Sequence, residues 1–192
     1  MKILGISGSL RAGSYNTALL RAAQALAAPE ATIDVATLHG FPLYDGDLEQ
    51  REGIPAAVQE LKSRLAAADA VLLATPEYNN GIPGVFKNAI DWLSRPPADA
   101  ARLFAGRPVA LLGASPGGFG TILAQNAWLP VLRTLGVRQW NGGRLLVSRA
   151  GHVFDPSGAL VDEAVRKQLR DFVLGYVRFV EGSLTQGDRP RG

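Results

Sequence analysis

Short apolar runs alternate with longer amphipathic segments along the chain, and this alternation predicts strands separated by helices. The runs at 71–73 and 109–112 are continuously apolar, as expected for strands that helices cover on both faces. The pattern therefore predicts an α/β fold, a three-layer sandwich around a mainly parallel sheet. The predicted strands are Lys2–Ile6, Thr32–Thr37, Ala70–Thr75, Pro108–Gly113 and Arg144–Ser148. The predicted helices are Asn16–Ala27, Pro55–Ala67, Pro83–Leu93, Thr121–Leu135 and Leu160–Val180.

The size of the chain, 192 residues, suits one domain with a single core. We assign this domain to residues 1–185 and expect residues 186–192 to be a frayed tail. Hydrophobic residues make up 47% of the chain and charged residues 19%, a balance typical of folded globular proteins. The net charge is +3, and the basic residues are dispersed along the chain. This pattern does not predict nucleic-acid binding, but it would suit the binding of anionic nucleotides.

The residue types that are missing also limit the chemistry. The chain has no Cys, which excludes thiolate nucleophiles and Cys-based metal sites, so redox chemistry needs a bound cofactor. His39 and His152 stand alone, and we interpret the acidic residues at 45–49 as a solvated loop, so no metal site is expected. No apolar run approaches the ~20 residues that span a bilayer. Without a signal pattern at the start, we expect a cytoplasmic protein with no membrane contact.

The first of three unusual loops follows strand one and runs from Gly8 to Thr17. It combines glycines with short hydroxyl and amide side chains and with Arg11. Backbone N–H groups at a helix N-terminus, together with one guanidinium group, suit a phosphate monoester. The alternative is an ordinary turn in which Ser14 or Asn16 only caps the helix.

The second and third loops follow strands three and four. The second, 75–84, holds two Pro, two Asn and two Gly, a composition that favours a rigid irregular backbone beside Tyr78. Tyr78 could offer a ring surface to a ligand or could be a packed anchor of the loop. The third, 113–121, has glycines at 117, 118 and 120, which allow close approach to a flat ligand, although a flexible connector would look the same. Because parallel strands end at one edge, the three loops converge there, where such folds bind ligands.

These motifs carry a family resemblance. The segments 8–16, 76–79 and 87–92, with Pro42-Leu43-Tyr44-Asp45 and Gly53-Ile54-Pro55, resemble the NAD(P)H-dependent FMN reductase family. Within the family the sequence is similar to the chromate and quinone reductases, a branch that includes azoreductases. The resemblance implies a flavodoxin-like fold with five parallel strands in the order 2-1-3-4-5, and non-covalently bound FMN.

By the same resemblance, the first loop would hold the phosphate, the second would line the flavin ring, and the third would close its other side. These cofactor-binding residues would be Ser9, Leu10, Arg11, Ala12, Gly13, Ser14, Tyr15 and Asn16, then Pro76, Glu77, Tyr78 and Asn79, then Ser115, Gly117 and Gly118. NADPH or NADH would be the electron donor. Small acceptors (quinones, azo compounds, chromate or free flavin) would be reduced by ping-pong kinetics, with no catalytic side chain and with the chemistry on FMN. A homodimer or homotetramer is implied.

Several assignments stay open at this point. Arg95, Arg102 and Arg107 are candidates for the 2′-phosphate of NADPH because they are near the second and third loops in sequence. Lys87 and Asp91 are expected to pair on one helix face, and Trp92 to lie in the core or an interface. The alternative functions are a flavodoxin-like electron carrier and a non-redox module that binds FMN or phosphate.

Overall fold

The structure, a computed structural model, describes residues 1–185. The predicted frayed tail at 186–192 lies outside the described residues. The strands are β1 (Lys2–Ser7), β2 (Thr32–Ala36), β3 (Ala70–Ala74), β4 (Pro108–Ala114), β5 (Arg138–Gln139) and β6 (Leu145–Val147). The helices are α1 (Tyr15–Ala27), α2 (Gly46–Glu52), α3 (Ala56–Ala66), α4 (Gly84–Leu93), α5 (Pro97–Phe104), α6 (Ile122–Thr134), α7 (Ala150–Val153) and α8 (Glu163–Thr185).

The strands form one parallel sheet in the order β2-β1-β3-β4, and both β5 and β6 pair with β4 at the fifth position. The predicted order 2-1-3-4-5 is thus confirmed. The prediction of a single fifth strand at Arg144–Ser148 is corrected. The fifth position in the sheet is shared by two short strands, β5 and β6, and only β6 lies within the predicted range. The chain leaves the sheet between them, where Trp140 packs against Phe172 and Tyr176 at ring distances of 4.9 and 5.5 Å.

Helices cover both faces of the sheet, as predicted. Neighbouring residues of one strand face opposite sides: Ile3 belongs to the core beneath α1 and α8, and Leu4 to the core beneath α3, α4 and α6. The same alternation runs through the apolar segments of β3 and β4. Trp92 is fully buried in the second core, which confirms one of its two expected positions.

The structure contains three helices that the sequence analysis did not predict: α2, α5 and α7. The acidic cluster opens α2, with the Asp45 carboxylate accepting a hydrogen bond from the Asp47 N–H at 2.9 Å, so the solvated-loop interpretation is corrected. Helix α5 begins with Pro97 in its first turn and carries Asp99 there, two ordinary helix-start signals. No helix within residues 1–185 has the length and apolar character needed to cross a membrane.

Candidate functional site

The three loops meet at the carboxyl edge of the sheet. Main-chain hydrogen bonds join their bases, from Gly8 N–H to the Ala74 carbonyl and from Thr75 N–H to the Leu112 carbonyl, both at 2.9 Å. The loops that follow β1, β3 and β4 therefore start side by side, as the strand order requires. The predicted convergence of these loops is confirmed.

Two glycines allow the elements below the loops to approach closely. A Cβ at Gly8 would lie 2.1 Å from the Phe86 ring. A Cβ at Gly113 would lie 2.1 Å from Thr121 Oγ1 and 2.4 Å from the Thr75 carbonyl oxygen. Since such distances are far inside van der Waals contact, the layer beneath the loops has no room for a methyl group.

The first loop presents open hydrogen-bond donors. The Ser14 hydroxyl caps α1 by accepting from the Thr17 N–H at 3.3 Å. The N–H groups of residues 12–16 find no acceptor among residues 1–185. Arg11 is exposed, and within the same residues its guanidinium group makes no ion pair or hydrogen bond. Such a row of free N–H groups at a helix start, with one free guanidinium, can bind an anion.

Two other residues of this loop have structural roles. The Asn16 side chain is buried, donates to the Ala114 carbonyl at 2.8 Å and accepts from the Ala114 N–H at 2.9 Å. Its amide thus ties α1 to the end of β4, and the main-chain N–H is what Asn16 offers to a ligand. Ser9 is also buried, and its hydroxyl accepts from the Arg11 N–H at 3.3 Å.

His39 contacts the first loop, although the sequence analysis treated it as a histidine that stands alone. One ring nitrogen, Nε2, lies 3.1 Å from the Leu10 carbonyl oxygen, and Nδ1 lies 3.1 Å from Thr37 Oγ1. The imidazole therefore links the end of β2 to the first loop. No sequence signal pointed to this link, because 29 positions separate the two partners.

The second loop contains a tight turn over residues 78–81. Tyr78 and Gly81 exchange main-chain hydrogen bonds of 3.3 and 3.0 Å, while Asn79 and Asn80 adopt positive φ angles of 49° and 61°. Asn tolerates this left-handed region better than most residues. The Tyr78 side chain is 46% exposed, so it is not a packed anchor and stands at the rim of the site.

Glu77 connects the second loop to the third. Its Oε2 atom accepts hydrogen bonds from the N–H groups of Leu123 at 2.8 Å and Ala124 at 2.9 Å. Those donors lie in the first turn of α6, whose preceding residue Thr121 makes no side-chain cap. A carboxylate at this position satisfies free donors and complements the helix dipole. Glu77 thus holds the second loop against the start of α6.

The third loop has a fixed base and an exposed tip. Ser115 donates from its hydroxyl to the Gly120 carbonyl at 2.5 Å and from its N–H to the Val147 carbonyl at 2.9 Å. The tip at 116–119 is exposed, and Phe119 is 82% exposed. A Cβ at Gly118 would meet no atom within 4 Å, so open space lies beside the loop.

The three arginines suggested for a nucleotide phosphate are used elsewhere. Arg107 is buried directly before β4, at the amino edge of the sheet, and donates to the carbonyls of Leu103 and Ala68. Arg102 pairs with Asp99 at 2.8 Å, and the Arg95 guanidinium lies over the Tyr44 ring, 5.6 Å from its centroid. Nearness in sequence was misleading for Arg107, because residues that directly precede a strand lie at the opposite edge of the sheet from residues that follow it. The predicted pair Lys87–Asp91 is confirmed at 2.7 Å.

Comparison with known proteins places these loops in a family context. The sequence model of the family described as NADPH-dependent FMN reductase matches residues 1–152. The chain is 46% identical to an NAD(P)H-dependent FMN reductase of Pseudomonas aeruginosa over 88% of this chain and 90% of that protein. It is 35% identical to a 2-hydroxy-1,4-benzoquinone reductase of Burkholderia sp., over 94% of this chain and 96% of that protein.

A solved structure is also similar over nearly the whole chain. It is that of FerB, a flavoenzyme NAD(P)H:(acceptor) oxidoreductase of Paracoccus denitrificans. The TM-score is 0.84 at 33% sequence identity, with 95% of this chain and 98% of that chain covered.

Proposed function

The chain belongs to the NADPH-dependent FMN reductase family, and from this premise we propose that its three carboxyl-edge loops hold FMN and expose it to small oxidants. The family assignment confirms the predicted resemblance, the flavodoxin-like fold, and an oxidoreductase that uses FMN with NAD(P)H as donor. The assignment of FMN to particular residues, the acceptors and the kinetic scheme remain proposals. Residues 1–185 would form a single FMN-binding domain.

The observation that carries the proposal is the row of unpaired donors in the first loop. Five consecutive N–H groups, at residues 12–16, are unpaired among the described residues and directly follow Arg11, whose guanidinium group is free. A phosphate monoester has enough acceptor oxygens to satisfy several of these donors. Ser9, Leu10 and His39 would support this phosphate site by shaping the loop backbone.

The flavin ring would lie across the second and third loops. Main-chain N–H groups at Asn79, Gly117 and Gly118 find no acceptor within residues 1–185 and can donate to the polar edge of a flat heterocycle. Pro76 and Tyr78 would border one side of the ring, and Ser115 the other. Glu77 would act indirectly, by keeping the second loop against α6. The donor set and the open space beside Gly118 thus fit FMN.

When bound, FMN supplies the hydride and electron chemistry that no side chain of this chain provides. The chain itself would bind, orient and partly shield the ring. The Tyr78 and Phe119 side chains are exposed and would border the opening, where aromatic surfaces favour flat substrates such as quinones. One shared opening would admit donor and oxidant in turn, which leads to ping-pong kinetics. Azo compounds, chromate and free flavin are further candidate acceptors.

The family assignment favours a reductase over both alternatives, the electron carrier and the non-redox binding module. We propose in addition that the chain forms a homodimer or homotetramer and acts in the cytoplasm, without nucleic-acid or membrane partners. Exposed apolar side chains on α6, Leu123 at 44% and Leu129 at 42%, support association between copies.

The proposal is tested by the visible absorption spectrum of the purified protein before and after anaerobic addition of NADPH. We expect an oxidised-flavin spectrum that bleaches promptly and returns when a quinone is added. A flavin spectrum that neither NADPH nor NADH bleaches would support the electron carrier. A protein that stays colourless after incubation with FMN would refute the cofactor assignment to the three loops.

A further inference from the structure

Arg149 has a strained backbone next to the candidate site. Its φ of 49° and ψ of 42° lie in the left-handed region, which disfavours side chains other than Gly, Asn and Asp. Among residues 1–185, the other non-glycine residues with positive φ are Asn79 and Asn80 of the second loop. All three strained positions therefore lie at the carboxyl edge, and such clustering is typical of functional sites.

Hydrogen bonds to the third loop hold this backbone in place. The Arg149 N–H donates to the Gly117 carbonyl at 2.9 Å, and the Ala150 N–H donates to the Ser115 carbonyl at 3.0 Å. They extend the pairing of β4 with β6 beyond the ends of both strands. Two main-chain hydrogen bonds consequently tie the Arg149 segment to the third loop.

The Arg149 side chain itself is exposed and unengaged. Within residues 1–185 its guanidinium group makes no ion pair or hydrogen bond, which is also true of Arg11. Arg95, Arg102 and Arg107, in contrast, contact protein groups away from the loops. Within the described residues, Arg11 in the first loop and Arg149 beside the third loop are therefore free guanidinium groups at the carboxyl edge.

The proposed reaction brings two phosphorylated molecules to this edge, FMN and NAD(P)H. The first loop has the donors for the FMN phosphate. We propose that Arg149 binds a phosphate group of NAD(P)H, and thereby determines how tightly the electron donor binds. This inference rests on the proposed function. A guanidinium group whose backbone is held in place loses less conformational entropy on binding than one on a mobile loop. Its planar N–H donors match the oxygens of a phosphate group.

The test compares Arg149→Gln, Arg149→Lys and Arg149→Gly in the FMN-loaded protein. Arg149→Gly suits the positive φ, so it removes the guanidinium without adding strain. We expect the KM for the nicotinamide nucleotide to rise about tenfold in the Gln and Gly variants, with kcat at saturation and FMN affinity unchanged, since a substrate-binding contact is lost. Arg149→Lys should recover part of the loss. Arg178→Gln, at an exposed arginine of α8, is the matched control and should leave KM unchanged.

Two further measurements identify the phosphate and separate the outcomes. A rise in KM for NADPH alone, with weaker calorimetric binding of 2′,5′-ADP, would assign Arg149 to the 2′-phosphate. Equal rises for NADPH and NADH would assign it to the pyrophosphate, and both results support the inference. Unchanged KM values in Arg149→Gln, or weaker FMN binding with unchanged KM, would overturn it while the reductase function stands. A wild-type protein that binds FMN but oxidises neither nucleotide would overturn the proposed function and this inference together.

Discussion

The two edges of the sheet use their charged residues differently. Toward the amino edge, cationic side chains bind protein groups: Lys62 pairs with Asp99 at 2.9 Å, and Arg107 donates to two main-chain carbonyls. At the carboxyl edge, Arg11 and Arg149 are exposed and make no side-chain contact of this kind within the described residues. Paired charges contribute to stability, whereas free charges on rigid backbone are available to a ligand. The comparison separates charged residues that stabilise the fold from charged residues whose side chains are free to bind a ligand.

The carboxyl edge is open only in its outer layer. Beneath the loops, the Asn16 amide pairs with both main-chain groups of Ala114, and the Thr75 hydroxyl accepts from the Trp128 indole at 3.1 Å. These buried groups are satisfied, as buried polar groups normally are. A rigid lower layer thus supports an upper layer of unpaired donors, an arrangement that lowers the cost of ordering a site on binding.

The largest effect is expected from Gly113→Ala, which tests the lower layer. The new methyl would overlap Thr121 and the Thr75 carbonyl, so we expect the free energy of unfolding to fall by about 3 kcal/mol. Gly118→Ala is the matched control in the upper layer. Its Cβ would meet no atom within 4 Å, so its effect should stay below about 0.5 kcal/mol. Urea unfolding measures both, and equal losses in the two variants would contradict the layered description.

Asn16→Ala tests the tie between α1 and β4. It leaves the Ala114 N–H and carbonyl without their buried partners. The free energy of unfolding, measured in urea, should therefore fall by about 2 kcal/mol. The exposed Asn126 on α6 offers a control, since Asn126→Ala should change stability by less than about 0.5 kcal/mol. Wild-type stability in Asn16→Ala would show that the tie is dispensable.

Lys62→Met tests the paired charges toward the amino edge. Burial raises the pKa of Asp99, but hydrogen bonds from Lys62 and Arg102 outweigh burial and lower it below its ordinary value of 3.8. A lowered folded-state pKa stabilises the protein above pH 3.8, and this contribution is lost as the pH falls through the folded-state pKa. We expect Lys62→Met to lower the free energy of unfolding by about 2 kcal/mol at neutral pH. On acidification, the free energy of unfolding should then fall less in this variant than in the wild type.

The control for this prediction is Lys167→Met, which removes an exposed pair with Asp171 on α8. Exposed pairs contribute little, so its cost should stay below about 1 kcal/mol. Urea midpoints of the three proteins at neutral and at acid pH provide the comparison. Parallel pH profiles for Lys62→Met and the wild type would refute the role assigned to the Lys62–Asp99 contact.

The smallest effect is expected from Arg11→Ala, and it should appear in binding rather than in stability. Removing one charge-assisted contact should weaken FMN binding about tenfold, measured by quenching of flavin fluorescence. The urea midpoint of the FMN-free protein should not change, because the Arg11 guanidinium group makes no ion pair or hydrogen bond within residues 1–185 and the Arg11 N–H keeps its bond to Ser9 in the variant. Arg11→Lys should retain part of the affinity. An unchanged dissociation constant in Arg11→Ala would remove Arg11 from the phosphate site.

The sequence predicted well what depends on local periodicity. Apolar runs located β1, β3 and β4, and the strand order then brought the three loops to one edge. Helix α5 was missed although Pro97 and Asp99 gave signals for it. The two-residue strand β5 is too short for any periodic pattern.

Contacts between distant residues were beyond the sequence. Asn16 and Glu77 were predicted as ligand contacts, and the structure adds that their side chains bind partners 98 and 46 positions away. No local pattern reports that a side chain is already occupied by such a partner. Arg149 escaped notice for a related reason, since neither its left-handed backbone nor its link to Gly117 follows from neighbouring residues.

The break in the fifth strand also bears on solubility. A long, continuous edge strand offers its free N–H and carbonyl groups to strands of other molecules and so promotes aggregation. Here that edge consists of a two-residue and a three-residue strand, separated by the excursion at 140–144. An incoming strand would find no continuous row of partners in register. The detour that packs Trp140 against Phe172 and Tyr176 therefore also protects this side of the sheet against unwanted polymerisation.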